Sequence, residues 1–232
     1  MNTFSSRLAL LAVGLMALPV STALAQTWGF NSDAQGWLVY DAVGGGNYTN
    51  AGTGALSWNA AGGNPGGYIS AIDPSSGSFF FQAPISGVNY SAFNGGLLNF
   101  SLQTDLSPDY SDDSVVVFRG GLSNLTIVAA LGSQPGVSWT NYSLSLNASA
   151  FRLNNLSGAV VTVDQFADVL SNLNLFLIDG EFHNGVSETT GLDSVAFVAP
   201  RATSTVPEPS VYGLAGAVVL VAISALRRRA RR

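Results

Sequence analysis

The chain has 232 residues, enough for one domain with additional segments, and 47% of them are hydrophobic while only 10% are charged. It contains no cysteine, which excludes disulfides, thiolate metal sites and a cysteine nucleophile, and one histidine, which excludes a histidine-rich metal cluster. Residues 26–200 carry thirteen acidic residues against Arg119 and Arg152, a net charge of −11. Nucleic-acid binding is thereby excluded, because it needs Lys and Arg to neutralise phosphates.

The first 25 residues have the pattern of an export signal. A basic residue precedes an apolar run over residues 8–18, which is too short to span a bilayer core about 30 Å thick. The small residues Ala23 and Ala25 occupy the positions that signal peptidase requires. We therefore expect residues 1–25 to be removed and the mature chain to begin at Gln26. A buried N-terminal helix is the alternative interpretation.

Between the two ends, short runs with strand character alternate with Gly, Asn and Pro turn signals. The predicted strands cover residues 36–41, 55–59, 67–72, 78–83, 97–103, 114–119, 124–131, 138–146, 172–179 and 192–198. One helix is predicted over 164–170, with Thr162 and Gln165 as a capping box. The fold class that follows is all-β, a single jelly-roll-type β-sandwich with one short helix over residues 26–200.

A series of short motifs runs through residues 28–198 in a fixed order. It consists of Trp37, Gly63-Asn64-Pro65-Gly66-Gly67-Tyr68-Ile69, Asp73, Phe81-Gln82-Ala83-Pro84, the run from Asn94 to Phe100, Val115 to Phe118, Trp139, residues 164–179 and Gly191-Leu192-Asp193-Ser194-Val195. In this order the domain resembles the laminin B (domain IV) module. The resemblance implies an extracellular structural or adhesive β-sandwich without a catalytic role.

The C-terminal segment has three consecutive parts. Residues 201–210 are a small polar linker that contains Pro207, Glu208 and Pro209. Residues 211–226 form an uncharged apolar run at the short end for a spanning helix, and five arginines lie within residues 227–232. By the positive-inside rule this basic tail is cytoplasmic, which places the β-sandwich outside the membrane.

The order of Pro-Glu-Pro, short apolar helix and arginine cluster resembles the PEP-CTERM sorting signal of Gram-negative bacteria. The resemblance implies that an exosortase processes the chain at Pro207, Glu208 and Pro209, after signal peptidase has removed the N-terminal signal. It also implies release of the protein, or its transfer to the cell surface or to an extracellular polysaccharide matrix. The C-terminal helix would then lie in the membrane only transiently.

The acidic excess points to calcium as a possible ligand, because calcium prefers carboxylate and carbonyl oxygens. By analogy with galactose-binding-like and carbohydrate-binding sandwiches, we expect a structural calcium between the first loop and the last strand. The available carboxylates are Asp33, Asp41, Asp73 and Asp193. The acidic run at residues 109–113 does not match EF-hand spacing and indicates a polar hairpin end.

Catalysis has little support in the sequence. His183 lies in a loop without a nucleophile elbow, and Asp179 and Glu181 are a weak candidate for a glycosidase pair. Five aromatic residues lie near turns, a position that predicts either a sugar-binding platform or core packing. These residues are Tyr40, Tyr48, Trp58, Tyr90 and Tyr110. The expected function is therefore a non-catalytic, adhesive or glycan-binding protein of the envelope or matrix. The alternative is a secreted hydrolase that acts on polysaccharide.

Overall fold

The structure is a computed structural model that describes residues 24–42, 48–74, 78–107, 115–183 and 185–201. In these ranges, strands form two antiparallel sheets packed face to face, with one α-helix and two 3-10 turns. The predicted β-sandwich with one helix is confirmed. The predicted spanning segment and nearly all of the predicted signal peptide lie outside the described residues. Within the described residues, no helix has the length and hydropathy needed to span a membrane.

The first sheet has six strands and contains both ends of the module. Its strands are β1 (Ala25–Trp28), β4 (Leu56–Gly63), β5 (Gly66–Ile72), β7 (Leu97–Thr104), β10 (Thr140–Ser145) and β13 (Thr189–Val198). The order across the sheet is β10-β7-β13-β5-β4. β13 pairs with β5 through its first residues and with β1 through its last residues. The first and last strands of the module are therefore direct neighbours.

The second sheet has seven strands in the order β11-β9-β8-β12-β6-β2-β3. They are β2 (Leu38–Ala42), β3 (Asn50–Gly52), β6 (Ser78–Gln82), β8 (Val115–Gly120), β9 (Leu125–Ala130), β11 (Arg152–Leu153) and β12 (Leu173–Asp179). Each of the ten predicted strands overlaps one observed strand. The three strands without a sequence prediction, β1, β3 and β11, have only two to four residues, too few to show a period-two pattern.

Aromatic rings from both sheets fill the space between them. The ring of Phe197 in β13 lies 4.7 Å from the ring of Tyr90 and 5.2 Å from that of Phe176 in β12. The ring of Phe118 in β8 lies 5.9 Å from Phe197. Each fully buried Phe side chain contributes about 1.5–3 kcal/mol through the hydrophobic effect, so this aromatic cluster holds the two sheets together.

The α-helix of the described residues, α1 (Val163–Ser171), covers one margin of the sandwich with its apolar side. Thr162 accepts a hydrogen bond from the backbone N–H of Gln165, and the Gln165 side chain accepts one from the backbone N–H of Thr162. The predicted capping box is confirmed. Phe166 is buried, and its ring lies 5.1 Å from the ring of Phe151, so packing as well as capping fixes the helix.

Candidate functional site

The outer surface of the six-stranded sheet is polar, because strand residues alternate between the core and solvent. In β7, Leu98, Phe100 and Leu102 are buried in the core, so the residues between them project from the opposite side. The same alternation in β5 and β10 extends this surface across the sheet. We call it the polar face, and its residues are Tyr68, Ser70, Asn99, Ser101, Gln103, Trp139, Asn141 and Ser143.

Strand register places these side chains next to one another. Ser101 of β7 lies opposite Asn141 of β10, and Gln103 of β7 lies opposite Gly191 of β13. Gly191 in turn lies opposite Ser70 of β5. Because opposed side chains on one face of antiparallel strands are about 5 Å apart, the amide and hydroxyl groups form a continuous surface.

Two aromatic side chains meet in the middle of the polar face. The rings of Tyr68 and Trp139 lie 5.4 Å apart, edge to face, above Gly191. A Cβ at Gly191 would lie 3.1 Å from the Trp139 ring and 3.3 Å from the Tyr68 ring, so glycine leaves the space that the rings occupy. The indole N–H of Trp139 donates to the carbonyl oxygen of Gly62 at 2.9 Å, which fixes the orientation of the ring.

A small hydrogen-bond network orders the polar face beside the aromatic pair. The side-chain N–H of Asn64 donates to Oδ1 of Asn141 at 2.8 Å, and the hydroxyl of Ser101 donates to the same oxygen at 2.7 Å. This arrangement uses the carbonyl side of the Asn141 amide and leaves its Nδ2 without a partner in the described part of the chain. The amide of Asn141 is thus held in one orientation with its donors turned to solvent.

Other polar groups on the face are also available to a ligand. The side chains of Asn99, Gln103 and Ser143 make no hydrogen bond to any of the described residues. Asn99 and Gln103 are half-buried and Ser143 is exposed, so water reaches all three. Each amide offers two N–H donors and one acceptor oxygen, a combination that suits a ligand with many hydroxyl groups.

The polar face contains two open depressions in succession along β7. The first has a volume of about 440 Å³ and lies around Asn99, Ser101 and Asn141. The second has a volume of about 360 Å³ and lies around Gln103 and Tyr68. Both volumes fall within the roughly 300–1,000 Å³ of small-molecule sites, although these depressions are shallow surface features.

The sequence profile described as Laminin B (Domain IV) matches residues 87–211, more than half of the chain. The chain belongs to the laminin B (domain IV) family. The resemblance inferred from the ordered motifs is therefore confirmed. The matched segment begins after the Gly-Asn-Pro-Gly-Gly hairpin, so it covers β7 to β13 and excludes the first six strands.

Solved structures share the architecture of this laminin B module at low sequence identity. The L4b domain of human laminin alpha-2 is 13% identical with a TM-score of 0.60, over 77% of this chain and 99% of that domain. The family 11 carbohydrate-binding module of the cellulase Lic26A-Cel5E of Clostridium thermocellum is 12% identical with a TM-score of 0.49, over 79% and 99%. No curated protein sequence matches the chain. At these identities the similarity establishes the fold alone.

In this laminin B module, the hairpin between β4 and β5 folds onto the polar face and covers Asp193. Asp193 is fully buried, and its two carboxylate oxygens accept the backbone N–H groups of Asn64 and Ser194. The Ser194 hydroxyl donates back to the carbonyl oxygen of Asn64 at 2.9 Å. Burial raises the pKa of Asp193, and the two N–H donors oppose that effect. The hairpin is thus tied to the last strand.

One end of the laminin B module contains a group of carboxylates that is separate from the polar face. Glu188 is buried and accepts hydrogen bonds from the Thr104 hydroxyl and from the backbone N–H groups of Phe182 and His183. Asp179 is buried and accepts the backbone N–H groups of Val115 and Glu181. Burial raises the pKa of both carboxyl groups.

Glu181 has the most unusual environment of these carboxylates. Burial raises its pKa to about 8, and the nearby carboxylates of Asp73, Glu188, Asp179 and Asp41 act in the same direction. Its Oε2 atom is buried and makes no hydrogen bond to any residue that the structure describes. At neutral pH the folded protein therefore holds a proton on Glu181 that the unfolded chain releases.

We expect the module to be more stable near pH 5 than near pH 8. As pH rises through this range, the unfolded chain loses the Glu181 proton while the folded protein keeps it, so the free energy of unfolding falls. Because Glu181 is only half-buried, its contribution is about 1–2 kcal/mol after allowance for solvent screening. Urea unfolding across this pH range measures the slope. Glu181→Gln should flatten the slope but not abolish it, since Asp179 and Glu188 act in the same direction; an unchanged slope would contradict the assignment.

The four carboxylates of the calcium hypothesis do not lie together. The backbone N–H of Asp73 donates to the carbonyl oxygen of Glu188. Glu188 precedes Asp193 by five residues of extended chain, so Asp73 and Asp193 are roughly 16 Å apart. Asp41 and Asp73 interact with Glu181, whereas Asp193 lies under the hairpin. Asp33 accepts the backbone N–H of Gln35 in an exposed loop. Among the described residues, no group of three or more His, Cys, Asp or Glu is arranged to hold a metal ion. Calcium binding stays a prediction.

The aromatic residues near turns have mostly structural roles. Tyr40, Tyr48 and Tyr90 are buried, so core packing is confirmed for them and an exposed platform is wrong. Trp58 is 39% exposed, and its indole N–H donates to the Phe30 carbonyl oxygen at the edge of the sandwich. Tyr110 lies outside the described residues. The aromatic pair on the polar face is instead Tyr68 with Trp139, both half-buried.

The remaining predicted site residues lie in strands, in one loop, or outside the described residues. Asp179 is buried with both oxygens bonded to backbone N–H groups, so it does not form an open catalytic pair with Glu181. His183 lies in the predicted connection between the last two strands. Ala25 begins β1, and its partner across the sheet is Val198. The candidates that lie outside the described residues are Ala23, Pro207, Glu208, Pro209 and the acidic run at 109–113.

Proposed function

We propose that this protein is an exported, non-catalytic module of the cell envelope or extracellular matrix that binds carbohydrate through its polar face. The observation that carries this proposal is that the Tyr68 and Trp139 rings lie beside amide groups with no hydrogen bond to the described residues, namely the side chains of Asn99 and Gln103 and the Nδ2 of Asn141. A sugar ring has apolar C–H faces and a rim of hydroxyl groups. Aromatic rings pack against the former, and amides donate to and accept from the latter.

The rigidity of the polar face supports a binding role. Its side chains project from strands, and Trp139 and Asn141 are each held by a hydrogen bond to the β4–β5 hairpin. A preorganised surface loses little conformational entropy when a ligand binds, which favours affinity. The aromatic pair also has few rotatable bonds to immobilise.

The distribution of carboxylates favours binding over hydrolysis. Glycoside hydrolysis needs two carboxyl groups that face the substrate from opposite sides. The carboxylates at the polar face are Asp193, which the hairpin covers, and Asp105, whose Oδ1 accepts the backbone N–H of Thr189. Asp179 and Glu181, whose pKa values are raised by burial, lie at the end of the module.

Trp139→Ala should lower the affinity for any polysaccharide that retards the wild-type protein by at least about tenfold. The reason is that it removes the larger of the two rings from the polar face. The measurement is affinity electrophoresis of the purified chain through gels that contain a panel of soluble polysaccharides. Trp58→Ala is the matched control, since it removes an indole that is also partly exposed but lies off the polar face. Equal retention of folded Trp139→Ala and wild type would contradict the proposed site.

We also propose that the chain is exported and sorted in two steps. The proposal rests on Ala23 and Ala25 as the signal-peptidase site, and on Pro207, Glu208 and Pro209 followed by the apolar run and arginines as an exosortase substrate. Removal of residues 1–25 would take away Ala25, the first residue of β1, and leave Gln26, Thr27 and Trp28 to pair with β13.

Intact mass of the exported protein should begin at Gln26 and end before Arg232. Replacing Pro207, Glu208 and Pro209 by alanine should leave the chain in the inner membrane. Without the two prolines, the segment no longer has the extended conformation to which the exosortase binds. Alanine replacement of residues 203–205, in the same linker, is the matched control and should be sorted normally. Surface delivery of the Pro-Glu-Pro variant would instead indicate a simple membrane anchor.

A further inference from the structure

We infer that the ligand of the polar face is a neutral polysaccharide chain that lies along β7 over both depressions. This inference rests on the proposed function and names the class of carbohydrate. It depends on the charges around the face, on the positions of its polar groups and on the spacing of the two depressions.

The arginines of the sandwich lie away from the polar face. The chain has no lysine, and the arginines of the sandwich are Arg119 in β8 and Arg152 in β11, both strands of the seven-stranded sheet. Arg119 donates to the hydroxyl of Thr126 and to the carbonyl oxygen of Tyr48, so its guanidinium is engaged on that side of the sandwich. A polymer of uronic acids or sulfated sugars would find no arginine or lysine on the polar face among the described residues of the sandwich.

The negative charges of the module also oppose an acidic ligand. Asp105 lines the second depression, and Asp193 lies beneath the hairpin beside the first. Residues 26–200 carry a net charge of −11. Like charges brought together at an interface lower both the rate and the strength of association. The negative electrostatic potential of the module therefore disfavours the binding of anionic polysaccharides.

The layout of the two depressions fits a chain better than a single sugar. Each depression has at least one side-chain amide and one hydroxyl group, with Asn99 and Ser143 at the first and Gln103 and Ser70 at the second. Asn99 and Gln103 are four residues apart on β7, which corresponds to roughly 13 Å. A polymer can occupy both sets of groups at once, and linked contacts raise its affinity above that of either site alone.

The test compares neutral and acidic polymers on residues 26–205, which contain the sandwich without the five arginines of the C-terminal tail, by affinity electrophoresis with chelator present. The neutral probes are mixed-linkage β-glucan, xylan and galactomannan, and the acidic probes are alginate and polygalacturonate. We expect retention by at least one neutral polymer, no retention by the acidic ones, and the same retention at low and high salt, because no ion pairs form.

Three variants locate the contact and test its charge preference. Gln103→Ala should weaken retention by the neutral polymer about fivefold, the loss of one hydrogen bond, while Asn174→Ala on the seven-stranded sheet should leave retention unchanged. Gln103→Arg should add retention by polygalacturonate, because it supplies the missing cation. Salt-sensitive retention of the wild type by acidic polymers would overturn the inference and leave carbohydrate binding intact. Failure of every polymer to retard the chain would overturn both.

Discussion

Gly67→Ala should destabilise the laminin B module by at least about 3 kcal/mol, near the upper end for a single small substitution. A Cβ at this position would overlap the carbonyl oxygen of Phe30 and lie 3.0 Å from the carbonyl oxygen of Asn59. Both obstacles are backbone atoms, so no side-chain rotation relieves the contact. Phe30 cannot retreat easily, since its carbonyl oxygen also accepts the indole N–H of Trp58.

Urea unfolding of the variant measures this loss, and Gly136→Ala is the matched control. A Cβ at Gly136 would have its nearest neighbour 4.0 Å away, so alanine fits there and stability should change by less than about 0.5 kcal/mol. A stable Gly67→Ala protein would show that the first loop can move away from the β4–β5 hairpin.

Asp193→Ala should lower the free energy of unfolding by about 2–4 kcal/mol, because it leaves the backbone N–H groups of Asn64 and Ser194 without their acceptors. In a module of this size the melting temperature should fall by roughly 4–16 °C. The hairpin also orients Asn141 and Trp139, so the variant should bind polysaccharide more weakly than its stability alone explains.

Asp33→Ala is the control for this substitution, because the Asp33 carboxylate accepts one N–H in an exposed loop and should contribute less than about 1 kcal/mol. Thermal melting in calcium and in chelator distinguishes two roles for Asp193. A structural acceptor gives the same loss in both solutions. A loss seen only in calcium would make Asp193 a metal ligand and contradict the hydrogen-bond explanation.

Strand positions could be predicted because they depend on local patterns. Leu98, Phe100 and Leu102 alternate with polar residues, and the structure places them in the core as that pattern requires. The helix could be predicted from Thr162 and Gln165, since a capping box involves residues only three positions apart. Glycine and asparagine at turns likewise act through the conformation of their own backbone.

The calcium set and the aromatic platform could not be resolved from the sequence, because both depend on which strands become neighbours. Asp193 and Asn64 are 129 residues apart, and only sheet pairing places one carboxylate under one backbone N–H. Tyr40 and Tyr90 look like surface residues near turns but are buried. Trp139 lies just before β10 and contacts Tyr68 of β5 across two intervening strands.

By itself the sequence determined that the chain has an acidic, cysteine-free β-sandwich with one capped helix, since composition, period-two alternation and capping are properties of neighbouring residues. Only the tertiary structure decided that Asn99, Gln103 and Asn141 share one face with Tyr68 and Trp139, and that Asp193 holds a hairpin. A polar residue on a strand is in sequence merely a solvent-facing position. It becomes part of a site when strand register, set by the packing of the whole core, brings its neighbours beside it.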